Sequence, residues 1–149
     1  MSNFGVSSTY LAELAQDCLK KQPEIVSCDI FLNESELAVN KGFIINSQIS
    51  DLPGSHFLCV LIKEEEIIYF DSLAFPILNA YIKTKLETVN KPIKHCIEAI
   101  QGANSVFCGL YCLSFLRSFR IFSIARIDNL YPSILIAYHE LTPGCLKKG

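Results

Sequence analysis

Apolar and polar positions along this chain follow two rhythms, and each change of rhythm marks an element. Tyr10, Leu11, Leu14, Ala15 and Cys18 recur at the i, i+3/i+4 spacing of one helical face. Ser7, Ser8 and Thr9 stand where such a helix needs its cap, and Pro23 is expected to stop it. Ile25 to Leu32 reads as a strand. Asn33 is expected to cap a short helical turn over Glu34 to Val39, and Gly42 to Asn46 forms a short apolar strand.

The middle of the chain is clearer. Ser47 to Ser55 contains Asp51, Pro53 and Gly54 and reads as a loop. His56 to Ile62 is a nearly unbroken apolar run, Lys63 to Glu66 a polar turn, and Ile67 to Asp71 a second β-rich run. The two runs predict an antiparallel hairpin buried on both faces. Pro76 is expected to start a helix carrying Ile77, Leu78, Tyr81, Ile82 and Leu86 on one side. Ile93 to Ile100 is a further strand candidate, and Gln101 to Ser105 a loop. From Phe107 to about Phe122 the spacing suits a buried helix, with a last helix over Tyr131 to His139. The order of elements predicts an α+β fold.

Composition narrows this picture. The 149 residues suit one domain spanning 1–149, with no internal repeat or linker. Half of them are hydrophobic and 19% are charged, enough apolar material for a true core. A net charge of −2 and a pI near 5.9 leave no basic field to attract nucleic acid. Seven cysteines is an odd and high count, and Met1 to Lys21 lacks the basic and apolar regions of a signal peptide. Reduced thiols and an intracellular, non-secreted location are therefore expected. The cysteines lack a C-x-x-C pair, and His56, His95 and His139 are scattered, so no metal and no cofactor are expected. Arg117, Arg120 and Arg126 interrupt the most apolar stretch, which argues against a membrane span.

One set of residues carries chemistry. Cys108 opens the buried helix, where free backbone N–H groups and the helix dipole favour a thiolate. Gly109 leaves room for a substrate backbone. The Cys108 N–H offers one oxyanion donor, and the side-chain amide of Gln101 a second. His56 begins one hairpin strand and Asp71 ends the other, so the carboxylate can accept from one imidazole nitrogen while the other faces the thiol. Each of these residues taken singly has a plainer reading. A cysteine in an apolar helix is usually core, as Cys112 is expected to be. His95 and Cys96 are adjacent and point to opposite faces of a strand, which disfavours them as a pair. Tyr111, Phe115, Phe119 and Phe122 read as packing.

The ordered set resembles a known family. Gly54-Ser55-His56-Phe57, then Tyr69-Phe70-Asp71-Ser72-Leu73, then the run from Gln101 to Cys112 (Gln-Gly-Ala-Asn-Ser-Val-Phe-Cys-Gly-Leu-Tyr-Cys) is similar to the adenain proteases of adenoviruses, Maverick/Polinton elements and virophages. The Tyr-Phe-Asp-Ser-Leu segment is shared more with SUMO-deconjugating proteases. The resemblance covers about Asp29 to Phe119. It implies a papain-like fold with a small mixed or antiparallel sheet and the nucleophile at the N-terminus of a buried helix. It further implies His56 as base, Asp71 as orienting acid, Gln101 as oxyanion donor and Cys108 as nucleophile, with Gly54, Phe57 and Gly109 beside the substrate. The implied activity is thiol-dependent virion maturation: proteolysis of capsid or core precursors at glycine-containing sites, in the host cell or virion. A SUMO- or ubiquitin-like isopeptidase and a non-catalytic binding protein with the same fold are the alternatives. Adenovirus enzymes use DNA and a disulfide-linked peptide as activators. The acidic charge and the position of Cys96 support neither here. Phe57 replaces the tryptophan usual after the histidine, and Asp71 stands where adenovirus enzymes more often have Glu.

Overall fold

The computed structural model describes residues 7–50, 56–73, 76–95, 108–119 and 121–122. Its first helix, α1, spans Ser8–Cys18, and the Ser7 hydroxyl accepts from the Tyr10 amide as an N-cap. The helix ends five residues before Pro23, so the proline is not its stop. Gln22 takes that role: its side-chain amide donates to the carbonyls of Ala15 and Leu19, two of the acceptors a helix C-terminus leaves open.

The expected strand over Ile25 to Leu32 divides in two. β1 spans Glu24–Ser27, and a short helix α2 spans Cys28–Leu32. β1 ends because its partner does: Ser27 pairs with Asn46, the last residue of β2 (Gly42–Asn46). Asp29 then sits in the first turn of α2, where a carboxylate suits the helix dipole. Asn33 works at the other end from the one expected. It closes α2, donating from Nδ2 to the Asp29 carbonyl, and no helix follows over Glu34 to Val39.

β3 (Phe57–Ile62) and β4 (Ile67–Phe70) form the expected antiparallel hairpin, with Ile62 opposite Ile67 and Cys59 opposite Phe70. The Lys63 amide donates to the Glu66 carbonyl across the turn. The next helix, α3 (Ala80–Glu87), starts four residues later than Pro76. Asn79 sets this start by accepting from the Ile82 amide. Ile82 and Leu86 are buried, whereas Leu78 is 74% exposed, so the apolar face is narrower than expected. β5 (Ile93–His95) covers the described part of the next strand candidate. α4 (Cys108–Arg117) is buried along its whole length and ends before Phe122, which still packs into the core. The run over Tyr131 to His139 lies outside the described residues.

The five strands form one mixed sheet in sequence order, β1 to β5, antiparallel in the middle and parallel at both edges. Strand alternation sends its side chains into two cores. Phe57, Cys59 and Leu61 of β3, with Ile44 and Phe70, meet α1 and α4 on one face. Leu58, Val60 and Ile62, with Phe43, Ile45 and Tyr69, meet α2 and α3 on the other. This three-layer α+β arrangement is why β3 is buried on both faces. Phe70 stacks on Phe115 with ring centroids 4.6 Å apart, fixing α4 against the central strands.

Candidate active site

The hairpin brings its two ends together at one end of the sheet. His56 directly precedes β3 and Asp71 directly follows β4. His56 Nε2 lies 2.8 Å from Asp71 Oδ1. An ionised carboxylate only accepts, so the imidazole donates through Nε2 and Nδ1 is left for another partner. Asp71 is also a turn residue: the same Oδ1 accepts from the Leu73 amide at 2.9 Å. The turn holds the carboxylate at 4% exposure, while the imidazole keeps 20%. The histidine backbone is tied down too, because the Ser47 amide donates to the His56 carbonyl and Asn79 Nδ2 to the Ser47 carbonyl. Asp29 fixes the same loop by accepting from the amide and hydroxyl of Ser50. Hydrogen bonds from Ser27 and Ser50 hold its carboxyl down at about 2.

Cys108 reaches this corner from the opposite layer, at the first residue of α4 and 6% exposed. Its Sγ accepts from the Phe57 backbone amide at 3.2 Å. His56 senses it directly. Burial disfavours the imidazolium, but hydrogen bonds with Asp71 and with Cys108, and the Coulombic attraction of both, outweigh it and raise the His56 pKa to about 9. Histidine is therefore held protonated at neutral pH, between a carboxylate and a sulfur. The other thiols nearby differ. Cys59 and Cys112 are fully enclosed, and burial pushes both well above the ordinary thiol range. Cys112 is a core residue, as its position one turn along the helix predicts.

The structure thus brings His56, Asp71 and Cys108 into one cluster. Gln101 and Gly54 lie outside the described residues. Phe57 is present twice over, as a buried ring in the core beneath α4 and as the donor to Cys108. At Gly109 a Cβ would sit 2.7 Å from Leu11 Cδ1, so within the chain the glycine lets α4 approach α1 closely. His95 pairs with Tyr69 across β4 and β5 and makes an edge contact with its ring. It shares the α2/α3 face, away from Cys108. No group of three metal-ligating side chains occurs among the described residues, and none of their helices is long and apolar enough to cross a membrane.

Sequence reasoning missed the Phe57 amide because a backbone donor has no signature in residue type. It also missed the supports supplied by Asn79, Asp29 and the Leu73 amide. Only the last had a signal, an aspartate followed two residues later by a turn amide.

No protein family and no curated protein matches the chain. Among solved structures, one titled "AvrA delL154 with IP6, CoA" aligns with 74% of this chain at 19% identity and a TM-score of 0.47. This chain spans 47% of that one, about half its length.

Proposed function

We propose that the chain is a cysteine endopeptidase. The Cys108 sulfur attacks the scissile carbonyl carbon, and His56 Nδ1 gives its proton to the departing amine. That leaves a thioester on Cys108. Water deprotonated by His56 then attacks the thioester carbonyl, releases the acid and restores the thiol. Asp71 holds the imidazole by Nε2 and stabilises its positive charge. The Cys108 N–H and the Gln101 amide serve as oxyanion donors. What supports this reading most is the convergence of His56, Asp71 and Cys108 from three separate elements, with Asp71 Oδ1 2.8 Å from the imidazole.

The resemblance to adenain proteases suggests the substrate class: capsid or core precursors cut after glycine, inside the host cell or virion. Incubation with capsid and core precursor proteins carrying glycine-containing sites, followed by mapping of new termini, tests this. Termini after glycine that depend on Cys108 are expected. Intact precursors beside efficient release of SUMO or ubiquitin-like modifiers would favour the isopeptidase reading instead, which the Tyr69-Phe70-Asp71-Ser72-Leu73 segment keeps in view. The absence of both, with no adduct from a glycine vinyl sulfone, would point to a binding protein.

A further inference from the structure

The contact between Phe57 N and Cys108 Sγ has a structural origin. In an antiparallel strand the N–H and C=O of one residue point to the same neighbour, and those of the next residue to the other side. The His56 carbonyl accepts from Ser47 on the β2 side. The Phe57 N–H therefore points toward β4. But β4 ends at Phe70, opposite Cys59, and the chain turns away at Asp71 to Leu73. The first donor of β3 has no ladder partner, and it is buried. The sulfur at the start of α4 stands 3.2 Å away and takes the bond.

We infer that the Phe57 backbone amide is a catalytic group that stabilises the Cys108 thiolate, so the early end of β4 is part of the nucleophile's activation. The bond discriminates between forms. A thiol accepts only weakly, whereas a thiolate accepts a charge-assisted bond. The same bond lowers the basicity of the sulfur and with it the intrinsic nucleophilicity. It therefore helps reactivity where thiolate is scarce and restrains it where thiolate is plentiful. The inference rests on Cys108 as the reacting group but not on proteolysis.

The test is alkylation of the full chain by iodoacetamide, in which the sulfur displaces iodide, followed at Cys108 by mass spectrometry from pH 4 to 10. Wild-type is compared with a Phe57 amide-to-ester variant and with Phe57→Pro. Both variants remove the N–H, yet they change the acceptor strength of the His56 carbonyl in opposite directions. Proline is also tolerated at a first strand residue whose N–H is not in the ladder. Among the described residues, the titratable groups around Cys108 are His56 and Cys112, with Asp71, Cys59 and Tyr69 beyond them, and all are kept. Both variants should move the profile upward by about one pH unit, the size of a hydrogen bond to a charged group. The high-pH plateau should rise about threefold and the low-pH limb fall about threefold, since nucleophilicity gains only part of each unit. Curves that cross in this way support the inference. Unchanged profiles, or a uniform loss at every pH, overturn it. Peptide turnover measured beside them separates the two claims: wild-type cleavage with unchanged alkylation profiles leaves the endopeptidase reading standing and removes the amide's role.

Discussion

His56 holds opposing influences in balance. Burial alone would make it neutral, but Asp71 on one nitrogen and Cys108 beside the ring keep it charged up to about pH 9. A group whose folded pKa lies above its ordinary value stabilises the fold fully below that ordinary value, 6.5, and loses the contribution as pH rises through about 9. The melting temperature of the wild-type chain should therefore fall between these pH values more than that of His56→Gln. In the proposed mechanism the imidazolium protonates the leaving amine, so the alkaline limb of kcat/KM should fall near pH 9. Asp71→Asn removes one of the two attractions, so its alkaline limb should move to lower pH. Its rate loss should be smaller than the roughly 10⁴-fold loss caused by a mis-set tautomer in a serine-protease triad, since the asparagine carbonyl can still accept from Nε2. A pH–rate profile for the two proteins checks both statements.

At the scale of elements, the sequence was most legible where one residue type can do only one thing. Ser7 caps α1, the hairpin joins at Lys63 to Glu66, and His56 and Asp71 flank it as their places in the runs require. It was least legible where a partner elsewhere decides. Cys28 to Leu32 is apolar enough for a strand, but β2 ends at Asn46 and leaves it nothing to pair with. Asn33 and Asn79 are both cap residues by type, and only the structure shows one closing a helix and the other opening one. Gly109 was legible as a close approach but not as an approach to Leu11. Gly109→Ala should overpack this contact by about 1–3 kcal/mol, against a gain of about 1 kcal/mol in helix propensity. A net loss of stability is expected in denaturant titration. Trimming Leu11 to alanine should make the second substitution cheaper than it is alone, and strict additivity of the two would show that they do not touch.

In the whole molecule, the site depends on the sheet being covered on both faces. α1 and α4 on one side carry the cysteine to the start of β3, and on the other side Asp29 of α2 and the α3 cap Asn79 hold the Ser47–Ser50 loop beside His56. β3 is bonded by β2 and β4 and buried on both faces, so its amides from Leu58 to Ile62 should exchange slowest in native-state hydrogen exchange. Equal protection of the edge strands β1 and β5 would contradict this layering. The central claim is that Cys108 is a nucleophile served by His56. Its most direct test is the turnover of a glycine-containing peptide substrate by the wild-type chain, Cys108→Ala and His56→Ala at neutral pH. Cleavage by the wild-type chain and none above background by either variant is the expected result; turnover retained by Cys108→Ala would contradict the account.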